Sequence, residues 1–377
     1  MSTPASTPST PMLPCTQDFQ WCRTSTTELS SGDQEQSQKY SDIENEIIEN
    51  GYNGKKTEVE IDGGYVIDLH RKLQYKKDDP SQQHRIERFQ LSRDRRNVHL
   101  RTERFGSPVT LGAPTSSSQQ SNNMKDIAYV MKHGSFPSVY FFQAVYHKDK
   151  KVADIVEEAA QGIVKEGKAQ EKLHEAQWLS QQLLAVKHFG DNVPAKFTEN
   201  PCKITETCIY LFTKNSFWYE LFNRTLREAT AITPERIETV GPFALLLHTH
   251  LFKDHPRDTE TVYRGLGLND EQRKEYMKTK IVFTAFTSTS RNRTAAEMFG
   301  NTLLIMNLKD DHMSKRDQCG ANISHLSHFP DEEEFLIWPG RIFHFTGYEY
   351  DDRNSKHVIY LSWSNSDDLF NLQSDYV

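Results

Sequence analysis

Between residues 261 and 363 the chain falls into six short β-prone runs parted by turn residues: TVYRGLG (261–267), IVFTAFTSTS (281–290), NTLLIMNL (301–308), EEFLIWPG (333–340), RIFHFTGYEY (341–350) and HVIYLSW (357–363). The stretch ahead of them has the opposite pattern. Apolar residues recur at Val152, Ile155, Val156, Ala159, Ile163, Leu173, Ala176, Leu179, Leu183 and Val186, a helical period broken around KEGKAQEK, which predicts two helices within 151–187. NSFWYELFNRTLREAT (215–230) predicts an amphipathic helix entered through an Asn or Ser cap, and PFALLLHTHLF (242–252) a buried one. Helices first and strands later, without regular alternation, specify an α+β domain.

The best boundary is GSPVTLGAPTSSSQQSNNM at 106–124, a Pro/Gly/Ser-rich linker. It separates a first unit at 15–105 from a second at 125–377, and a Pro-spaced polar tail occupies 1–14. In the first unit DIENEIIENGY reads as a helix ending near Gly51. TEVEI (57–61) and YVIDL (65–69) alternate around DGG as a β-hairpin. An arginine run closes this unit with Arg85, Arg88, Arg93, Arg95, Arg96, Arg101 and Arg104.

Composition excludes several classes. With 377 residues the chain is long enough for two or three domains, and a net charge of −7 does not favour a nucleic-acid partner. Five cysteines without CxxC spacing fit neither a disulfide scaffold nor a zinc module, so a reducing compartment and no metal are expected. No apolar run approaches the roughly 20 residues of a membrane helix. MSTPASTPSTPMLP lacks the basic and apolar regions of a signal peptide. An intracellular home, cytoplasmic or nuclear, is the expectation, with no secretion and no membrane partner.

Three β-runs carry polar residues that packing alone leaves idle: Arg264 in TVYRG, Ser288 in FTSTS, and Glu332 and Glu334 in FPDEEEFLIWPG. Singly, each has an ordinary reading as an ion-paired strand residue, a turn or cap hydroxyl, or a solvated acidic loop. In this order and strand context they resemble the arginine-specific mono-ADP-ribosyltransferases of the clostridial-toxin-like branch. That branch shows an aromatic-Arg-Gly, then Ser-Thr-Ser, then Glu-x-Glu ahead of an apolar strand. The resemblance covers about residues 200–365.

It implies a fold with a helical N-terminal part and two small β-sheets forming an NAD cleft, with NAD as substrate. Cleaving the nicotinamide–ribose bond develops positive charge on the sugar, so fixed negative charge there and fixed donors on the pyrophosphate suit the chemistry. By resemblance Arg264 clamps phosphate, as a planar and permanent cation should. Tyr263 is the aromatic of its motif, and the Gly265 backbone meets the nicotinamide amide. Ser288 holds the catalytic carboxylate, Thr289 supports it, and Asn223 and Arg227 contact the far ribose and phosphates. Glu334 is the catalytic carboxylate. Glu332, two residues earlier and on the same side of an extended segment, receives an acceptor arginine. Phe299 is a candidate to stack on nicotinamide, although an aromatic in AAEMFG also suits a core.

Residues 18–89 resemble a WWE domain, a module that binds the iso-ADP-ribose unit of poly(ADP-ribose). Trp21, Tyr40, Glu49 within IIENGYNGKKTEVEI, and GGYVIDLHRKLQ carry this resemblance. It places Tyr65, Gln74 and Arg85 at adenine-stacking, amide-edge and phosphate positions. The family's second Trp is Ser37 here, and an Arg of strong poly(ADP-ribose) readers is His84. The resemblances together imply transfer of ADP-ribose to protein arginines, with ADP-ribosylated partners recruited by the front module; whether the chain's own arginine run is an acceptor stays open. Two alternatives stay open: an NAD glycohydrolase using the same site, and a catalytically silent ADP-ribose reader.

Overall fold

The structure, a computed structural model, describes residues 19–24, 37–91, 136–197, 199–227, 233–251, 260–309 and 319–363. The tail at 1–14, the linker at 106–124 and Arg93, Arg95, Arg96, Arg101 and Arg104 lie outside them.

The first unit contains β1 (Phe19–Thr24), β2 (Ser37–Lys39), α1 (Asp42–Asn53), β3 (Glu58–Ile61), β4 (Tyr65–Asp68), β5 (Leu73–Lys76) and β6 (Asp79–Gln90). The strands form one sheet in the order β2-β1-β6-β5-β4-β3. Ser41 starts α1 with a capping box: its hydroxyl accepts the Glu44 N–H at 3.2 Å, and the Glu44 carboxylate accepts the Ser41 N–H at 3.0 Å. The helix continues past Gly51, which is needed for packing rather than for termination. A Cβ there would lie 2.3 Å from Val59 Cγ1, because the last turn rests on β3. The expected hairpin is present, closing at Ile61 opposite Tyr65, with Gly63 and Gly64 at φ of 79° and 73°. Trp21, Tyr40, Ile48, Val59, Ile61, Ile67, Leu69 and Ile86 form the core of the unit.

The second part begins with α2 (Phe136–Ala144), α3 (Val152–Ala169), α4 (Leu173–Ala185), α5 (Cys202–Thr213), α6 (Phe217–Arg227) and α7 (Pro234–Leu251). The two helices expected within 151–187 are α3 and α4. α7 starts well before the apolar run that signalled it and carries Pro242 inside. Its N-terminal half lies against α3, where a Cβ on Gly162 would fall 2.1 Å from the Thr239 carbonyl oxygen. Phe243 meets Trp218 and Phe222 edge-on within this helical core.

The strands follow: β7 (Thr261–Leu266), α8 (Asp270–Tyr276), β8 (Lys280–Phe283), β9 (Thr287–Ser290), α9 (Arg293–Glu297), β10 (Thr302–Asn307), β11 (Gly320–Asn322), β12 (Glu334–Ile337), β13 (Arg341–Asp351) and β14 (Lys356–Trp363). They are ordered β11-β12-β9-β7-β10-β14-β13-β8. The two small sheets expected from the resemblance meet at one residue pair, Tyr263 opposite Ser290, which makes the eight strands continuous. IVFTAFTSTS is two strands rather than one, and they lie far apart. β8 pairs with β13 at one edge, while β9 pairs with β12 across the seam.

The two parts touch through α1 and the turn between β3 and β4. Ile43 belongs to the helical core of the second part, and Ile47 packs against it. The Asp62 carboxylate accepts the His174 and Glu175 N–H groups at 2.8 and 3.0 Å, where it meets the positive end of α4. Burial pushes the Glu175 carboxyl at this junction up to about 7. Among the described residues no helix is long and apolar enough to cross a membrane.

Candidate active site

The site lies where the two halves of the large sheet join. β7 is held along its length by β10, with Arg264 opposite Leu304 and Gly265 opposite Leu303. On its other side it meets β9 only at Tyr263 and Ser290. Arg264 strengthens this sparse seam, since its Nη1 donates to the Ser288 carbonyl. At 4% exposure Arg264 is a buried guanidinium.

Four consecutive hydroxyl residues, Thr287 to Ser290, make up β9, all of them buried. β12 lies antiparallel to it, with Glu334 opposite Ser290 and Leu336 opposite Ser288. Side chains directly opposite share a face, so Ser288, Ser290 and Glu334 lie on one face of the pair. Thr289 falls on the other, where its hydroxyl donates to the Phe335 carbonyl at 2.7 Å. Ser288 and Glu334 are thereby brought together, and Thr289 serves the sheet.

Glu332 and Glu334 are not related by strand alternation. Residues Pro330–Glu332 form a 3-10 turn, and Glu333 is left-handed at φ 46°, so the expected extended segment is corrected to a turn followed by a strand start. The left-handed residue takes the chain out of strand alternation between the two carboxylates. Both end up buried, Glu332 at 2% and Glu334 at 0% exposure, whereas Glu333 is exposed and accepts from the Asn292 amide at 3.1 Å. Burial thus sets Glu332 and Glu334 apart from Glu333.

Three residues that sequence reasoning left without a role hold this arrangement. The Ser290 hydroxyl donates to the Glu332 carbonyl at 2.8 Å and accepts the Asn292 N–H at 2.9 Å. Asn292, rather than a residue of the hydroxyl cluster, caps α9 by accepting the Ala295 N–H at 3.2 Å. The Arg291 N–H donates to the Glu333 carbonyl at 3.0 Å. An Asn at 292, ahead of TAAE, was the available signal.

Gly265 proves to be a packing position. A Cβ there would lie 2.1 Å from the Ala296 carbonyl oxygen and 2.6 Å from that of Phe299, so α9 closes directly over it. Phe299 is itself buried in this contact, and Tyr263 is half-buried. On the helical side, α6 approaches through Phe222, stacked on Phe286 at 5.8 Å just ahead of β9. The next residue, Asn223, is buried; its amide nitrogen donates to the Tyr219 carbonyl at 3.1 Å. Its Oδ1 has no hydrogen-bond partner among the described residues. Arg227, half-buried, donates to the Asn223 carbonyl at 3.0 Å. A spare buried acceptor beside a cation fits a ligand carrying both hydroxyls and phosphates. Among the described residues no group of His, Cys, Asp and Glu is placed to hold a metal ion.

A buried cation on β7, alternating onto the Thr289 face and tied to the Ser288 carbonyl, and two buried carboxylates at the turn into β12 agree with an enzyme class, ADP-ribose transfer from NAD. The family model for NAD:arginine ADP-ribosyltransferases matches residues 142–367, and the chain belongs to that family. No curated protein matches the chain by sequence. Among solved structures it is similar to the type III effector XopAI of Xanthomonas axonopodis pv. citri, with 16% identity and TM-score 0.41 over 67% of this chain and 95% of that one. ADP-ribosyltransferase HopU1 of Pseudomonas syringae pv. Tomato aligns with 22% identity and TM-score 0.36, over 43% of this chain and 77% of that one. Exoenzyme S of Pseudomonas aeruginosa, in complex with human 14-3-3 protein beta and bound to carba-NAD, aligns with 15% identity and TM-score 0.37. That match covers 57% of this chain and 91% of the exoenzyme.

Proposed function

We propose that the chain is a mono-ADP-ribosyltransferase whose acceptor is the side chain of a protein arginine, and that residues 125–377 form its catalytic domain. The observation that carries this reading is the pair of buried carboxylates, Glu332 and Glu334, set on a turn and a strand start opposite Ser290. Arg264 and Arg227 supply positive charge for the pyrophosphate, and Asn223 Oδ1 accepts from a ribose hydroxyl. Glu334, with Ser288 on the same face, sets negative charge against the ribose as its bond to nicotinamide breaks. Glu332 accepts a proton from the incoming guanidinium, which otherwise is a poor nucleophile. The nitrogen forms the new bond to the ribose carbon, nicotinamide leaves, and one proton is released.

The deciding assay follows labelled NAD with an arginine-rich protein acceptor, nicotinamide being quantified in the same tube. Label on arginine supports the transferase; nicotinamide without label supports the glycohydrolase. Glu332→Gln is expected to reduce transfer to arginine by about 100-fold, within the range of general-base effects, while nicotinamide release stays within about threefold of wild type. Equal loss of both would remove Glu332 from the acceptor role.

For residues 15–105 we propose a module that reads ADP-ribose. Gln74 supports this: buried at 1% exposure, it accepts the Tyr40 hydroxyl at 2.6 Å through Oε1, and its Nε2 has no hydrogen-bond partner among the described residues. An unsatisfied buried amide is a donor in wait for a ligand acceptor. Tyr65 is half-buried, and Arg85 is exposed on β6. Trp21 and Arg88 both donate to the Glu49 carboxylate, at 2.8 and 2.6 Å, so those three hold the fold. Tyr65→Ala and Gln74→Ala are each expected to weaken poly(ADP-ribose) binding about tenfold or more in a titration, consistent with one lost aromatic or hydrogen-bonded contact. Unchanged affinity in both would sink the assignment.

A further inference from the structure

The buried lysine at the junction of the two parts is the feature that the catalytic reading does not use. Lys214 follows α5 and has a side chain of 0% exposure. A buried ion pair is weak evidence for stability, because apolar residues of similar volume often do as well. The contacts of Lys214 show what else it does. Nζ donates to the Glu46 carboxylate at 2.9 Å and approaches His328 Nδ1 at 3.2 Å. Since an ammonium only donates, Nδ1 is the acceptor. The rings of Tyr210 and Trp178 flank the charge at 4.6 and 5.5 Å.

The two ends of this chain of contacts lie in different parts of the molecule. Glu46 is on α1 of the first unit, one turn after Asp42, whose carboxylate accepts the Asn215 N–H at 2.8 Å. The same face of α1 therefore holds two consecutive residues, Lys214 and Asn215. His328 is on the segment that leads into the Glu-x-Glu turn. Its own N–H donates to Thr213 Oγ1 at 2.8 Å, so main chain and side chain of His328 are both tied to the end of α5. The next residue, Phe329, accepts the Glu332 N–H at 3.2 Å. The turn is thus anchored at two points. Ser290 holds its C-terminal end by the Glu332 carbonyl, and Thr213 with Lys214 holds its N-terminal end.

We propose that Lys214 is a positioning residue for the turn that bears Glu332, and that Glu46 makes the first unit part of the acceptor-step machinery. This rests on the transferase reading given above. Loosening the Glu46–Lys214–His328 chain lets the 325–332 segment shift relative to β9, while Glu334, held in the β9–β12 ladder, keeps its place. Transfer to an acceptor and hydrolysis of NAD should therefore separate.

The test uses the full chain with Lys214→Met, which keeps the apolar stem against Tyr210 and Trp178, and Glu46→Gln, which keeps the shape and neutralises the first unit's contribution. Three readings are taken: label transfer to an arginine-rich acceptor, nicotinamide release without acceptor, and amide hydrogen exchange over 325–333. In both variants transfer is expected to fall 10- to 100-fold, with hydrolysis and the KM for NAD within about threefold, and exchange across 325–333 to rise. Parallel loss of transfer and hydrolysis, unchanged transfer, or unchanged exchange would each overturn the proposal. Wild-type protein silent in both activity assays would instead fail the transferase reading. Exchange then decides alone: a rise confined to 325–333 retains the positioning role and no rise removes it.

Discussion

Replacing Glu334 by Gln is expected to lower nicotinamide release and ADP-ribose transfer together by roughly 1,000-fold, about 4 kcal/mol of lost transition-state stabilisation. The shape of the side chain is kept, and only its charge is removed. Glu334 is fully buried at the first position of β12 and lies directly across from Ser290, so its charge is presented at a fixed place. Glu333→Gln is the internal control. Its carboxylate is exposed and bonded to Asn292, so rates within about twofold of wild type are expected. Should Glu333→Gln be the inactive protein, the register assigned to the Glu-x-Glu pair is wrong. A Glu334→Gln protein that still releases nicotinamide at a third of the wild-type rate would remove that residue from the catalytic role.

Gly265→Ala carries the second large effect, and its cause is steric. One methyl group placed 2.1 Å from the Ala296 carbonyl oxygen must push α9 off β7 or bend the strand. Overpacking of this kind costs about 1–3 kcal/mol and more when the obstacle is backbone. Because α9 is joined to the site through Asn292 and Ser290, activity should fall with stability. Gly267→Ala, two residues on, makes the comparison clean: its Cβ would meet nothing within 4 Å, and a change within about 0.5 kcal/mol is expected. Thermal denaturation of the two proteins side by side checks this. Equal melting temperatures would show that α9 yields at no cost.

The sequence made the site legible because its chemistry depends on residue type and order. An Arg-Gly, a Ser-Thr-Ser and a Glu-x-Glu, each at the edge of an apolar run, name the strands that carry them before any coordinates are known. The helical periods of α3 and α4 were equally plain, since each buries a regular stripe. α5 was not read as a helix. CKITETCIYLFT is rich in β-branched and apolar residues on most faces, and burial among other helices, rather than any amphipathic period, holds it in that form. The split of IVFTAFTSTS was hidden for a related reason: strand propensity is local, whereas the partners that part β8 from β9 lie in β13 and β12.

The sequence alone, then, determined the α+β order, the residue types of the candidate site and the absence of any long apolar span, because these follow from side-chain chemistry and short-range period. The tertiary structure decided which glutamate of the acidic run is buried and which is exposed, that Gly265 is needed against α9, and that Glu46 reaches Lys214 from another part of the chain. Those depend on a left-handed residue at 333 and on contacts between segments far apart in sequence, which no local pattern encodes.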